Sequence, residues 1–401
     1  MSGALPHGKG EEITGMRILP LFIFWCLWYL NFSTRTIFSP ILPLIEDNLL
    51  LTHGEAGGFF ISLSIGYSLS LLATGRLTPI WGYKRTVATG FWGVSLVFFG
   101  YQLAESYFSF HLLFFLLGIA TGTYIPSILP IITETYEPGN WGKAIGFHDS
   151  AASFSIFTIP LLIAFGLRFF SWHIPFLILG IVTLIFPAFF WKVSTEPKKE
   201  PFQKGEGYLH LFKTRIVWIM ILLWILSSGS SMGIYSILPL YLIKERGIDF
   251  NLANNLLGIS RAGGMAVPIL IGFMVDRYGY RTILFLSLLM TGLSTIALSL
   301  SSHLTIIFVS LILQAVLSLG FFPVALATIA RLTPLPNRSR VLGVIMSVGV
   351  GLGMGFTPFL LGLTADHFNF RTGIFWLGIL TSLSSLSVHL LKEEGVDRGT
   401  G

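Results

Sequence analysis

Charge and cysteine are what this 401-residue sequence has least of. Lys, Arg, Asp and Glu make up 11% of it, against roughly a quarter in an ordinary globular protein. So few polar side chains cannot cover a surface in water. The two or three soluble domains that length alone would allow are therefore excluded. The single cysteine, Cys26, lies in an apolar run, which rules out a disulfide framework or a cysteine-based metal site. The sequence also lacks a metal-spaced histidine cluster and a glycine-rich nucleotide loop. Its longest polar interior segment is only 24 residues. No enzyme, nucleotide-driven pump, metal or cofactor is expected. The net charge of +6 does not point to nucleic acid, because its placement along the chain has another explanation.

Apolar residues are what the chain has in excess: 53% of the total, with 36 Phe and 10 Trp and a mean hydropathy of +0.77. Lipid is the solvent that suits it, and a helix needs about 20 apolar residues to cross the hydrocarbon. Twelve such stretches follow one another. They are Ile18–Leu44, Ala56–Leu77, Arg85–Leu103, Phe108–Ile132, Gly142–Phe165 and Trp172–Trp191, then Ile216–Leu242, Leu252–Val275, Thr282–Leu300, Thr305–Ala330, Val341–Thr364 and Gly373–Leu391. The first has no small-residue cleavage site, so it reads as a retained span and not a signal peptide. An all-α integral membrane protein is expected. Its first six-helix bundle covers 1–191, a polar linker 192–215 and a second bundle 216–401.

Lys and Arg are retained on the cytoplasmic side of a membrane. With the N-terminus inside, the inward segments hold 19 of them and the outward loops 4, with Arg35 and Arg261 inside spans. Both termini are expected in the cytoplasm. The short chain, without long decorated loops, leans towards a bacterial plasma membrane.

The two halves repeat. Ile41-Leu42-Pro43-Leu44 returns as Ile237-Leu238-Pro239-Leu240 after 196 residues. Gly75 and Gly82 return as Gly272 and Gly279 after 197, Pro126 as Pro323, Gly146 as Gly343, and Pro160 as Pro358 after 198. Anchors in order at a nearly constant offset mark a duplicated six-helix unit. The most specific of them is the loop holding Gly272, Asp276, Arg277, Gly279 and Arg281. It resembles the G-x-x-x-D-R-x-G-x-R loop of the major facilitator superfamily. Its first-half counterpart keeps Gly75, Gly82, Lys84 and Arg85 but has Pro79 and Ile80 where Asp and Arg stand in the family.

The resemblance covers essentially the whole chain. It implies two pseudo-symmetric six-helix bundles that open a central cavity alternately to either side, with spans one, four, seven and ten lining it. The glycine-rich loops would be clasps in which close helix approach and an acid at a helix end hold one state. The implied partners are the lipid bilayer and a small-molecule substrate, and a monomer is expected.

Three formal charges lie well inside the spans: Arg35, Arg261 and Asp149. A charge at the bilayer centre costs about 2.5–3.5 kcal/mol on insertion scales, so each is a functional candidate. Trp28, Asn31 and Arg35 share one helix face. The segment from Tyr29 to Pro43 resembles the first span of organic-anion porters in the superfamily, where the arginine binds the substrate's charge. Arg261 is either a second anion contact or the partner of Asp149. His148 and Asp149 are candidates for a coupling proton. Span seven offers a stripe of Trp224, Ser228, Ser231 and Tyr235; span four offers Thr121 and Tyr124; span ten offers Gln314, Ser318 and Phe322. Of these, Asn31, Tyr124, Tyr235 and Gln314 join the two arginines as expected substrate contacts.

Two departures shape the expectation. The acids that organic-anion porters carry near the span-one arginine and in span four are replaced by Thr34 and Thr121. The glycine-proline cluster of drug–proton antiporters is reduced to Ile159-Pro160. A proton-coupled secondary transporter of a small organic anion, such as a carboxylate, is the leading expectation. An exporter of amphipathic or cationic compounds is the alternative.

Overall fold

The computed structural model describes residues 18–197, 214–265, 267–333 and 338–391, which are helical nearly throughout and contain no strand. Most of the linker expected over 192–215 lies outside the described residues; span six ends at Val193, and 194–197 continue as non-helical chain.

Twelve helical rods are present among the described residues. Span one is Ile18–Thr36 plus Phe38–Leu49, span two His53–Trp81 and span three Tyr83–Gly100. Span four is Tyr107–Gly122 plus Tyr124–Thr135, span five Trp141–Gly166 and span six His173–Val193. Span seven is Arg215–Glu245, and span eight is Phe250–Ser260 plus Val267–Tyr278. Spans nine to twelve are Tyr280–Leu300, Leu304–Leu332, Arg338–His367 and Phe370–Leu390. Nine helices among the described residues are each long and apolar enough to cross a membrane. Spans one and eight are broken in mid-membrane, and span three begins with Lys84 and Arg85 in its first turn.

The breaks have local causes. Pro40 and Pro126 fall in the first turn after the interruptions at Ile37 and Thr123, where a missing N–H costs nothing. Span seven widens into π-helical turns at Gly229–Gly233 and Tyr241–Glu245, and such turns recur at functional sites. Spans one, four and seven, which the resemblance assigns to the cavity wall, are thus all irregular.

The loops after the odd-numbered spans share one face, here the distal face; the other is the termini face. Distal helix starts are capped by Thr52, Ser106, Asp249 and Asn369. The two halves are pinned together towards this distal face. Span two lies along span eleven so closely that a Cβ on Gly57 would stand 2.5 Å from the Pro358 carbonyl oxygen. Ser68 donates to Ser347 O at 3.0 Å, Asn254 to Pro40 O at 3.4 Å, and Ser39 to Tyr235 O. Asp47 pairs with Lys244. At the distal start of span two, the backbone amides of His53 and Gly54 each donate to the Asp366 carboxylate at 2.8 Å. Towards the termini face, Gly146 and Gly343 have open space where a Cβ would stand. This is a state closed at the distal face.

Candidate functional site

Arg35 lies just before the break in span one, 8% exposed. Its guanidinium stands over the rings of Phe32 at 4.5 Å and Tyr67 at 4.9 Å, with Trp28 at 5.8 Å. Nη2 makes a long 3.4 Å hydrogen bond to Asn31 Oδ1, and Nε has no partner. No described carboxylate lies within ion-pair distance of it. Asn31 in turn donates to Thr121 O at 3.2 Å, so it orients Arg35 against span four more than it offers itself to a guest.

Arg261 terminates the first segment of span eight, 1% exposed. It stands over the Tyr235 ring at 5.4 Å, and none of its three side-chain nitrogens has a hydrogen-bond partner. A small cavity between spans one, two, seven and eleven is lined by Arg35, Thr36, Phe60, Ser64, Tyr235 and Met354 among others. Tyr235 therefore links the two arginines: it shares the cavity wall with Arg35 and carries Arg261 on its ring.

The Arg261–Asp149 pair is not formed. Asp149 is 61% exposed at its side chain and bonds His148 Nδ1 at 3.1 Å. Spans five and eight meet where Gly258 faces Phe157 O and Leu161, and again at Ala262–Met265, without bringing Asp149 into an ion pair with Arg261. Among the described residues, no acid pairs with Arg261.

Tyr124 and His148 are drawn away from the cavity into a stack. Trp28 lies parallel to Tyr124 at 5.4 Å and to His148 at 5.6 Å. Tyr124 Oη is 3.1 Å from His148 Nε2 and donates to Phe24 O at 3.1 Å. His148 has no exposed surface. If neutral, with its proton on Nδ1 towards Asp149, it accepts from Tyr124. If doubly protonated, it donates to Tyr124, which then donates to Phe24 O.

The span-seven stripe is buried throughout. Trp224 Nε1, Ser228 Oγ, Ser231 Oγ and Tyr235 Oη are all buried without a hydrogen-bond partner. Trp224 and Ser228 pack against Gly349 and Gly353 of span eleven, and of the four only Tyr235 lines the cavity. Gln314 donates its amide to Ser230 O in the π-helical turn, leaving Oε1 unpaired. Thr34 and Thr121 turn their hydroxyls onto their own helices, to Asn31 O and Leu117 O at 2.7 Å.

The clasp loops differ from the expectation. Gly82 and Gly279 have φ of +112° and +79°, so they are required by the turn between consecutive spans. Gly75 has open space around it and makes no close helix approach; Gly272 lies within Val267–Tyr278. Asp276, Arg277 and Arg281 are exposed, Asp276 has no ion pair among the described side chains, and Arg85 is exposed too. In the first half, the missing acid at Pro79 is supplied by Glu196. Its carboxylate accepts from the backbone N–H of Tyr83 at 2.6 Å and Lys84 at 3.0 Å, at the helix N-terminus where negative charge is favoured. Sequence inspection misses Glu196 because it lies more than a hundred residues downstream.

The family model described as Major Facilitator Superfamily matches residues 24–269 and 262–400. Among curated relatives, the uncharacterized transporter YybO of Bacillus subtilis is 26% identical, but the chain spans only about half its length (48%; 47% of this chain). The probable galactarate/D-glucarate transporter GudP of the same organism is 22% identical over 68% of this chain and 66% of its own. The probable sulfoacetate transporter SauU of Cupriavidus necator is 25% identical over 94% and 93%. Among solved structures, a point mutant of the nucleoside transporter NupG matches with a TM-score of 0.81 at 12% identity, covering 93% of this chain and 99% of that one. At that identity the likeness speaks for the fold alone. Twelve helical rods, a repeat offset of about 197 residues and a match along nearly the whole chain converge: this chain belongs to the Major Facilitator Superfamily and is a membrane transporter, not an enzyme.

Proposed function

We propose that the chain is a secondary transporter of a small organic anion, working by alternating access and coupled to protons. The observation that carries this reading is Arg35: a buried guanidinium on a cavity wall with no acid to neutralise it. Its planar fork matches a carboxylate or sulfonate. The relatives GudP and SauU, named for organic acids, support the same class. The excess of Lys and Arg on the termini-face loops supports a cytoplasmic termini face, which makes the state closed at the distal face an inward-facing one. The cationic-guest alternative needs a buried acid at the cavity. The only buried carboxylate among the described residues, Glu46, is engaged by His53 at 2.8 Å near the distal face.

His148 is assigned the coupling proton, with Asp149 as its exchange partner towards the termini face and Tyr124 as its inner contact. The test is uptake of radiolabelled sulfoacetate and D-glucarate into proteoliposomes under an imposed pH gradient. Wild-type uptake stimulated by the gradient, abolished in Arg35→Gln and made gradient-independent in His148→Gln, is the expected result. Uptake by Arg35→Gln at the wild-type rate would remove the anion reading.

A further inference from the structure

The described membrane interior holds two buried guanidinium groups and no carboxylate to answer either. Arg35 belongs to the first half and Arg261 to the second. Arg35 is met only by the neutral Asn31 amide and the Tyr67 side chain, and Arg261 has no hydrogen-bond partner among the described residues. Both address the same place, since Arg35 and Tyr235 line one cavity and Arg261 lies on the Tyr235 ring. The Tyr235 hydroxyl, beside Thr36, is a further buried polar group on that wall.

We infer that the transported anion carries two acidic groups, one taken by Arg35 and the other by Arg261. The inference rests on the organic-anion reading above and narrows it. A monoanion neutralises one guanidinium and leaves the other buried and uncompensated, which is the costly case for any buried charge. A dianion balances both. Because its two heads are held by opposite halves, an occupied transporter is drawn together around its guest. Each head is a planar or tetrahedral oxyanion, carboxylate or sulfonate, since both suit a guanidinium fork.

The test uses purified full-length protein and three matched pairs of probes, each pair sharing a carbon chain: D-glucarate and D-gluconate, sulfoacetate and isethionate, succinate and monomethyl succinate. Calorimetry on the wild type is expected to show at least one doubly charged member binding tenfold or more tighter than its singly charged mate. Arg261→Gln should bring that pair to within threefold of each other while monoanion affinity changes by less than threefold. Unliganded Arg261→Gln should melt at or above the wild-type temperature, because it removes an unanswered charge. If it does not fold, Arg261→Lys keeps the charge without the fork and should retain a reduced preference. Equal affinity within every pair, an unchanged preference in Arg261→Gln, or a lowered melting temperature for that variant overturns the two-headed guest and leaves anion transport standing. Failure of the wild type to bind any of the six overturns the anion reading and this inference together.

Discussion

Asp47 near the end of span one and Lys244 near the end of span seven meet as an ion pair at the distal face. Opposite charges on the two halves make that meeting attractive. Neighbouring bonds reinforce it: Glu46 with His53, and Asp366 at the start of span two. The cross-half bonds among them, Asp47–Lys244 and Asp366 to span two, must break together when the halves part on this side.

Lys244→Met should therefore favour the state open at the distal face. Asp47 is 62% exposed, and exposed ion pairs are worth about 0–1 kcal/mol. The population shift is then no more than about fivefold, by the usual conversion of 1.4 kcal/mol per factor of ten. A cysteine placed at cavity residue Ser64, in a Cys26→Ser background, reports it through labelling by an impermeant maleimide from outside. The charge-swapped pair Asp47→Lys with Lys244→Asp should restore slow labelling. Labelling as fast in the swap as in Lys244→Met would show that charge is not what holds the gate.

Arg35→Lys should leave the protein inserted and folded while lowering uptake about tenfold or more. A point charge replaces a fork that can make two parallel bonds, and one lost charge-assisted bond of about 1.5–3 kcal/mol accounts for that loss. Circular dichroism and size exclusion check the fold, and proteoliposome uptake checks the rate. Near-normal transport would move Arg35 from anchor to bystander.

Which parts of the site are readable from sequence follows from distance along the chain. Trp28, Asn31 and Arg35 share a face by helical spacing, and the span-seven stripe from Trp224 to Tyr235 obeys the same rule, so periodicity alone finds them. The stack of Trp28, Tyr124 and His148 joins three spans, and no periodicity connects residues so far apart in the chain. From sequence, Tyr124 accordingly reads as a cavity residue. The pairing of Asp149 with Arg261, one of two readings, fails for a related reason: knowing that spans five and eight meet does not say which side chains face each other, and Asp149 turns to His148. The Asp47–Lys244 pair lies equally beyond periodicity, since it joins the ends of spans one and seven.

Gly57→Val should block closure at the distal face without unfolding either half. Any side chain there meets the Pro358 carbonyl oxygen and the Phe359 Cα at 3.0 Å or less. Both are backbone atoms, which cannot turn aside as a flexible side chain can. Relief comes by moving span two away from span eleven. The Ser64 labelling assay should show fast reaction from outside together with transport reduced to a few per cent. An unlabelled, fully active Gly57→Val protein would contradict the closed geometry.

Asp276→Asn should leave affinity for the anion within about twofold. The residue is exposed at the termini face, far from Arg35 and Arg261, and its acid has no described ion-pair partner while the distal face is closed. Its work, as the family loop implies, belongs to the opposite state, where the termini-face ends come together. The expected change is in turnover, measured as exchange rate at saturating substrate. Loss of binding in a folded Asp276→Asn protein would place the loop's role elsewhere.

The last prediction separates Asp149 from Arg261. A buried ion pair, when one partner is removed, leaves a stranded charge and loses about 3–5 kcal/mol, much of which the double variant recovers. Here the two residues do not touch: Asp149 is held by His148 and largely exposed, and Arg261 is buried over Tyr235. Residues without contact or shared partners add within about 0.3–0.5 kcal/mol. A double-mutant cycle of Asp149→Asn and Arg261→Gln, read by thermal unfolding in detergent, should therefore show additivity. The single variants should also fail in different ways. Asp149→Asn should blunt the response of uptake to a pH gradient, because His148 loses its exchange partner, while binding persists. Arg261→Gln should weaken binding and leave the pH response of the residual uptake intact. A coupling energy of several kcal/mol would mean that the two residues meet in the state open at the distal face, and Arg261 would then be a gate residue in place of a ligand.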